Sequence, residues 1–300
     1  MTNDMNIPFE SKEELEEIRK TLVKEQRELK RKKFLKNKMS VAGLCIVIIM
    51  IIIAIFAPSI ATHDPYETNV MESLLPPSAQ HWFGTDKIGR DVFSRVIYGA
   101  RISLFVGVSV GGISAVLGLI IGLYASTNKV LDNILMRCCD GLRSIPNLLL
   151  AITLMTVLGA ALKNVIISLA IVSTPGVARM ARSSALVVRE QTYVEAMRCL
   201  GAKKSRILWK HIAPNILAPV IVQMTFAFAS AIIAEASLSF LGAGVPSGTP
   251  SWGSMLSEGK AVIYSAWWMI AFPGAFTALT VLGLNLFGDG LRDLLDPLTN

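Results

Sequence analysis

Three hundred residues, 52% hydrophobic and 17% charged, carry a formal net charge of +7 and a mean hydropathy of +0.53. An average soluble domain is roughly 25% charged, and one compact core cannot hide this much apolar surface, so a water-soluble globule is excluded. Disordered, collagen-like and disulfide-scaffold classes fall with it. A nucleic-acid binder needs basic residues on a folded soluble face, and the long uncharged runs leave little room for one. The composition is that of an all-α, polytopic membrane protein.

Residues 1–38 form a charged leader with eleven Lys and Arg, six of them (Lys30, Arg31, Lys32, Lys33, Lys36 and Lys38) directly before the first apolar run. From Glu10 to Lys38, acids and bases alternate around Leu15, Ile18, Leu22 and Leu29, which predicts a solvated helix near the membrane surface. Residues 39–61 are charge-free and predict the first span. That apolar run exceeds 20 residues and follows a long charged leader, so a retained anchor is expected rather than a cleaved signal peptide. Residues 62–101 follow as an extracytoplasmic segment, in which Asp86, Arg90, Asp91 and Arg95 fit an amphipathic surface helix with i,i+4 pairs such as Asp91 to Arg95. Two roles stay open for it, a meeting place for an outer binding protein and a structural lead into the second span.

The core is expected over 102–288. Charge-free windows at 102–128, 144–162, 211–234 and 261–288 are each near the 20 residues that cross about 30 Å of hydrocarbon. The window 164–178 reaches that length if its helix runs past Arg179 and Arg182, with their side chains snorkelling to the headgroups. Six transmembrane helices result. Eight Lys and Arg lie between Arg179 and Lys210, whereas the connections after the third and fifth spans hold one each, Lys163 and Lys260. The positive-inside rule then places the leader, the 189–211 segment and the 289–300 tail in the cytoplasm.

No catalytic constellation is visible. The three histidines, His63, His81 and His211, show no metal-ligand spacing in sequence, and G-x-x-x-x-G-K-[ST] is absent. Cys45, Cys138, Cys139 and Cys199 are not placed for a disulfide or a zinc site. The most informative segment is cytoplasmic. It reads as a helix to Leu200, a sharp turn at Gly201, and a second helix leading into the fifth span. Val194, Met197 and Leu200 recur at helical spacing and give the first piece one apolar side. Such a helix rests on lipid or is offered to a cytoplasmic partner.

Glu195-Ala196, Gly201 and Pro214 together resemble the E-A-A-x-x-x-G-x(9)-I-x-L-P signature of ABC importer permeases. Met197 stands for the second alanine, and His211 and Ala213 for the usual Ile and Leu. Three further segments resemble the peptide/nickel branch of that family. They are His81–Asp86 continued by Gly89-Arg90-Asp91; Leu238–Gly242 with Pro250-Ser251-Trp252-Gly253; and Gly288–Asp293 with Leu295-Asp296-Pro297. The resemblance covers about residues 34–298. It implies a type I ABC importer permease fold, a homologous second permease as heterodimer partner, two ATPase subunits, an extracytoplasmic substrate-binding protein, and a bacterial or archaeal cell membrane. This chain then holds no cofactor, ATP and Mg belonging to the ATPase subunits. Glu195, Ala196, Met197, Arg198, Gly201, Ala202, Lys203 and Ser205 become the ATPase-coupling segment.

The resemblance implies peptides as substrate, with nickel or a metal chelate as the alternative. The scarcity of His and Cys favours peptides. A stand-alone secondary transporter or channel calls for several ionisable midplane residues, and only Glu235 comes near. That acid is open to two readings, a cavity or gate residue or a structural carboxylate near the outer end of span five. Trp252, Trp267 and Trp268 are expected in an aromatic belt. Asp289, Arg292, Asp293 and Asp296 are expected to close the last helix. Gly107 with Gly111 and Gly118 with Gly122 form small-xxx-small pairs suited to close helix packing.

Overall fold

The computed structural model describes residues 34–295 apart from 247, together with 21, 22, 24, 25, 28 and 32. The rest of the expected leader helix and Asp296 lie outside the described residues. Among those described, every regular element is helical, with a single isolated antiparallel bridge between Thr85 and Asp91.

Helix α1 (Lys38–Ile55) is capped by Asn37, whose side chain accepts the Ser40 N–H, and one further turn (Ala57–Ile60) follows at Pro58. Helix α2 (Val92–Ala125) is capped by Asp91 in the same way. At 34 residues it is a rod of about 51 Å. The expected second span is therefore its inner part only. Residues 92–101 are the first turns of that rod and not a separate surface helix.

The third predicted span, 144–162, is corrected most. It contains only α4 (Asn147–Leu158), which is 12 residues long and bent by 89° from α3 (Lys129–Arg143) at Ser144-Ile145-Pro146. Pro146 has no N–H and disfavours a helical conformation at Ile145, which breaks the rod. Among the described residues, five helices are long and apolar enough to cross, or six with this bent pair counted as one.

The marginal fourth window is the middle of α5 (Leu162–Arg189), a 28-residue helix that does run past Arg179 and Arg182. Those side chains meet acids of α3. Arg179 pairs with Asp140 at 2.6 Å, and Arg182 clamps Asp132 through two nitrogens, so both tie α5 to α3.

Helix α6 (Thr192–Cys199) precedes α7 (Lys204–Phe240), which contains a π turn at Ile207–Ile212. Helix α8 (Trp252–Gly259) opens with a capping box between Ser251 and Ser254. Helix α9 (Trp268–Leu295) starts later than the predicted window and carries Asp289, Arg292 and Asp293 within its last two turns.

Small residues let these rods touch. A Cβ on Gly118 would lie 2.6 Å from Val177 Cβ, and one on Gly122 2.6 Å from Ala178 O, so α2 and α5 meet at backbone distance. Gly107 receives the Phe228 ring of α7, and Gly43 of α1 lies against the α9 backbone at Phe287. In lipid such surfaces associate by shape, since acyl chains are as apolar as leucine.

The two ends of the bundle are distinct. Asn37 donates to Asp293, joining the start of α1 to the end of α9, and Arg189 reaches the Ser126 carbonyl where α2 stops. At the other end, the His63 N–H donates to Ser94 Oγ in the first turn of α2, and Trp268 Nε1 donates to the Thr85 carbonyl.

Candidate functional site

The segment singled out in the sequence lies at the end of the bundle where α2 and α5 finish. Helix α6 turns one apolar side inward. Val194 is fully buried with Ile207, Leu208, Ile212 and Ala213 of α7, and Met197 and Ala202 pack beside it. Glu195, Ala196, Arg198, Gly201, Lys203 and Ser205 are exposed. Leu200 departs from the expected apolar side. It is 81% exposed and points away from the bundle, because the helix ends there and the chain reverses.

The reversal is a complete Schellman motif. The Gly201 N–H donates to the Arg198 carbonyl at 2.9 Å and the Ala202 N–H to the Met197 carbonyl at 3.1 Å. Gly201 has φ of +75°, the left-handed region that an L side chain rarely adopts. Open space surrounds the position where its Cβ would stand, so backbone conformation alone requires glycine.

Contacts that the sequence did not reveal hold this hairpin to the spans. Pro214 cannot donate a backbone hydrogen bond, and the helix widens into the π turn just before it. Asn215 Nδ2 donates to the His211 carbonyl at 2.6 Å and to Tyr193 Oη at 3.1 Å, tying α6 to the base of α7. Arg189 Nη1 donates to the Ser126 carbonyl at 2.6 Å, and the rings of Tyr124 and Trp209 meet edge to face. In the sequence, Asn215 directly after Pro214 of the permease signature was the one signal available for this tie. A cavity of about 430 Å³ lies beside the hairpin, lined among others by Arg189, Arg198, Lys204, Ile207 and Leu208. The face therefore offers one projecting leucine, a mixed-charge rim and a basic recess.

The outer-face candidates are not a surface helix. Asp86, Arg90, Asp91 and Arg95 are all buried. Asp86 Oδ2 accepts from Arg90 Nε at 2.6 Å and from Arg95 Nη1 at 2.5 Å, and both arginines continue to Glu258 of α8. The expected Asp91–Arg95 pair does not form, because Asp91 is spent on the Ser94 N–H and on His81. Two acids and two bases thus balance inside the fold, where burying any one alone would be costly. Glu258 was missed because it lies 163 residues from Arg95.

Glu235 is fully buried and accepts from Ser103, Ser239 and Ser251 at 2.8–3.2 Å, joining α2, α7 and the α8 cap. This geometry favours the structural reading of the two. Two of the three expected belt tryptophans are interior. Trp252 is fully buried and donates to the Val96 carbonyl, and Trp268 is buried and donates to Thr85, while Trp267 is exposed. Histidines distant in sequence also meet, with the His63 and His81 ring centroids 4.8 Å apart next to Asp91.

Comparison with known proteins agrees with this geometry. Residues 114–300 match the family described as binding-protein-dependent transport system inner membrane component. Residues 28–77 match the N-terminal transmembrane domain of oligopeptide transport permease C. The dipeptide transport system permease protein DppC of Alkalihalophilus pseudofirmus is 45% identical over 270 residues, covering 89% of this chain and 88% of that one. The oligopeptide transport system permease protein OppC of Bacillus subtilis is 43% identical, covering 88% and 87%. Among solved structures, an inward-facing form of the MetNI methionine ABC transporter aligns with a TM-score of 0.56 at 22% identity, over 67% of this chain and 97% of that chain. At that identity the likeness is one of fold.

Proposed function

Because the chain belongs to the family of binding-protein-dependent transport system inner membrane components, we propose that it forms half of the translocation path of an ATP-driven importer of di- and oligopeptides. The names of its relatives support the peptide substrate. The observation that carries the mechanism is the hairpin of α6 and Gly201, exposed outward at Glu195, Arg198 and Leu200 and bonded inward to α7 through Tyr193 and Asn215, beside the Arg189 bond that joins the end of α5 to the end of α2. In this reading a homologous second permease completes the path and a binding protein delivers peptide to the end bearing His63 and Glu258. Two ATPase subunits, which hold the ATP and Mg²⁺, receive the hairpin. The leader and the C-terminal tail share the cytoplasmic side with it, in keeping with the basic residues between Arg179 and Lys210.

Closure of the ATPase pair displaces α6 along the membrane normal. The Tyr193–Asn215–His211 tie passes that displacement to α7, and the Arg189–Ser126 contact passes it to α2 and α5. The spans then rock between two packings, opening the path to one side at a time. No bond is broken by this chain. Its residues bear load and line a route.

Co-purification with the ATPases encoded beside it, followed by peptide uptake in proteoliposomes, tests this reading. The expected result is ATPase retention by the native chain and its loss on charge reversal of Glu195 together with Arg198. A native chain that retains no ATPase, or uptake that continues without ATP, overturns it.

A further inference from the structure

Asp91, at the end of the bundle opposite the coupling hairpin, is buried, and among the described residues no guanidinium or ammonium group pairs with it. Its neighbour Asp86 has two arginines. Asp91 Oδ2 caps α2 by accepting from the Ser94 N–H at 2.7 Å, and Oδ1 turns the other way. Oδ1 lies 3.0 Å from His81 Nδ1 and 3.9 Å from His63 Nδ1, and one ligand atom from each residue falls within 4.8 Å of the others. We propose that His63, His81 and Asp91 form a binding site for a divalent transition-metal ion of the zinc type, which staples the loop after α1 to the first turn of α2.

Three arguments support it. The first is donor chemistry. Two imidazoles and a carboxylate with bonds of about 2.0–2.2 Å make a three-ligand zinc set that leaves a position for water. At those bond lengths a tetrahedral ion separates its ligands by about 3.3–3.6 Å, and the observed 3.0 and 3.9 Å bracket that range. The remaining gap closes by a small rotation of His63, whose side chain is 34% exposed. His63 Nδ1 also lies 3.0 Å from Thr62 Oγ1, an exposed contact between chain neighbours that the metal bond displaces.

The second argument is an unpartnered buried atom. His81 is 4% exposed, and its Nε2 has no hydrogen bond. The nearest acid is Glu72, with Oε2 at 3.5 Å. When Nδ1–H donates to Asp91, Nε2 turns a lone pair toward that carboxylate. Binding the ion through Nδ1 moves the proton to Nε2, where it donates to Glu72. This is the carboxylate–histidine–metal relay that orients metal-bound imidazoles.

The third is preorganisation. The His63 N–H is held by Ser94 Oγ, the His81 N–H donates to Ser78 Oγ, and the His81 carbonyl accepts from the N–H groups of Ser78 and Gly84. With the Asp91 carbonyl accepting from the Arg95 N–H, the backbones of all three residues are already fixed and leave little entropy to lose on binding.

The test uses the full-length chain in detergent, purified through a tag without histidines and loaded with Zn²⁺. After gel filtration, bound metal is measured by mass spectrometry, and Co²⁺ substitution is followed by visible absorption. About one Zn²⁺ per chain is expected, with Co²⁺ bands of a four- or five-coordinate site. His63→Gln abolishes those bands. Glu72→Ala, which leaves all three ligands in place, weakens affinity by roughly 10- to 100-fold. Thermal unfolding in chelator, unchanged between native and variant chains, verifies that both variants fold. Zinc retained equally by native chain and both variants assigns the metal elsewhere and overturns the proposal, as does a native chain that holds none.

Discussion

Gly201→Val is the sharpest perturbation of the coupling hairpin. The position has φ of +75° and open space where a Cβ would stand, so the substitution meets no neighbour and acts on the backbone alone. Holding an L residue in the left-handed region costs about 1–2 kcal/mol, and a β-branched side chain sits at the upper end. At tenfold per 1.4 kcal/mol, the intact Schellman turn becomes roughly 5- to 30-fold less populated relative to unwound alternatives. The spans are untouched, so membrane insertion and thermal stability in detergent stay native. Peptide-stimulated ATPase activity and uptake in proteoliposomes fall together. Gly201→Asn is the control, because asparagine tolerates left-handed φ, and it restores most of the uptake. Native uptake by the valine variant refutes the reasoning. So does equal failure of asparagine and valine, which would mean that something other than φ demands glycine.

Other outcomes follow from the same geometry. Tyr193→Phe removes the hydroxyl shared with Asn215 and His211, worth about 0.5–1.5 kcal/mol, and faster hydrogen exchange across α6 at unchanged global stability is expected. Arg95→Met costs about 3 kcal/mol in thermal unfolding, the low end for a broken buried pair because Arg90 still reaches Asp86 and Glu258. Glu235→Gln preserves uptake and most of the stability. Glu235→Leu strands three serine hydroxyls and lowers stability by about 2–5 kcal/mol, at about 0.6–1.7 kcal/mol per hydrogen bond in a membrane bundle; uptake by the glutamine variant that is lost at native stability favours the gate reading instead. Gly118→Val forces α2 from Val177 and reduces recovery of folded protein from the membrane by several-fold, as read by size-exclusion profile.

What could be read from the sequence were features whose cause is local. Charge-free runs gave the spans because hydrocarbon penalises each ionised side chain separately, and Gly201 announced a turn because its φ needs no tertiary partner. Failures came where a distant residue decides. Asp86, Arg90, Asp91 and Arg95 alternate as on a solvated helix, and only Glu258, supplied by α8, makes their burial possible. Arg179 and Arg182 looked free to snorkel until Asp132 and Asp140 of α3 were found opposite them. Trp252 and Trp268 suit a headgroup belt by residue type, yet the carbonyls of Val96 and Thr85 accept their indole N–H groups inside the fold. The broken third span hid for another reason. Its apolar composition continues across Ile145-Pro146, so a hydropathy window counts residues on both sides of a corner as one rod.

The distribution of polar bonds along α2 bears on how the bundle moves. One end of this 34-residue helix is fixed by an interior ion cluster and by the loop carrying His63 and His81, its middle meets the Phe228 ring of α7 at Gly107, and Gly118 and Gly122 near its other end lie in backbone contact with α5. At that other end the bond from Arg189 to the Ser126 carbonyl adds a polar link to the coupling region. In the proposed rocking motion, a rod tied by buried ions at one end and chiefly by shape at the other pivots about the ionic end. Because the glycine contacts are made by shape without interlocking charges, α5 and α7 can slide against α2 by small steps without stranding a buried ion. The serines around Glu235 lie toward the ionic end, where such a pivot implies little travel. The larger travel then falls on α6, α3 and the base of α7. There the ties are an Asn–Tyr–carbonyl bridge and partly exposed Asp–Arg pairs, groups that can exchange protein for water at a cost of about 1 kcal/mol each.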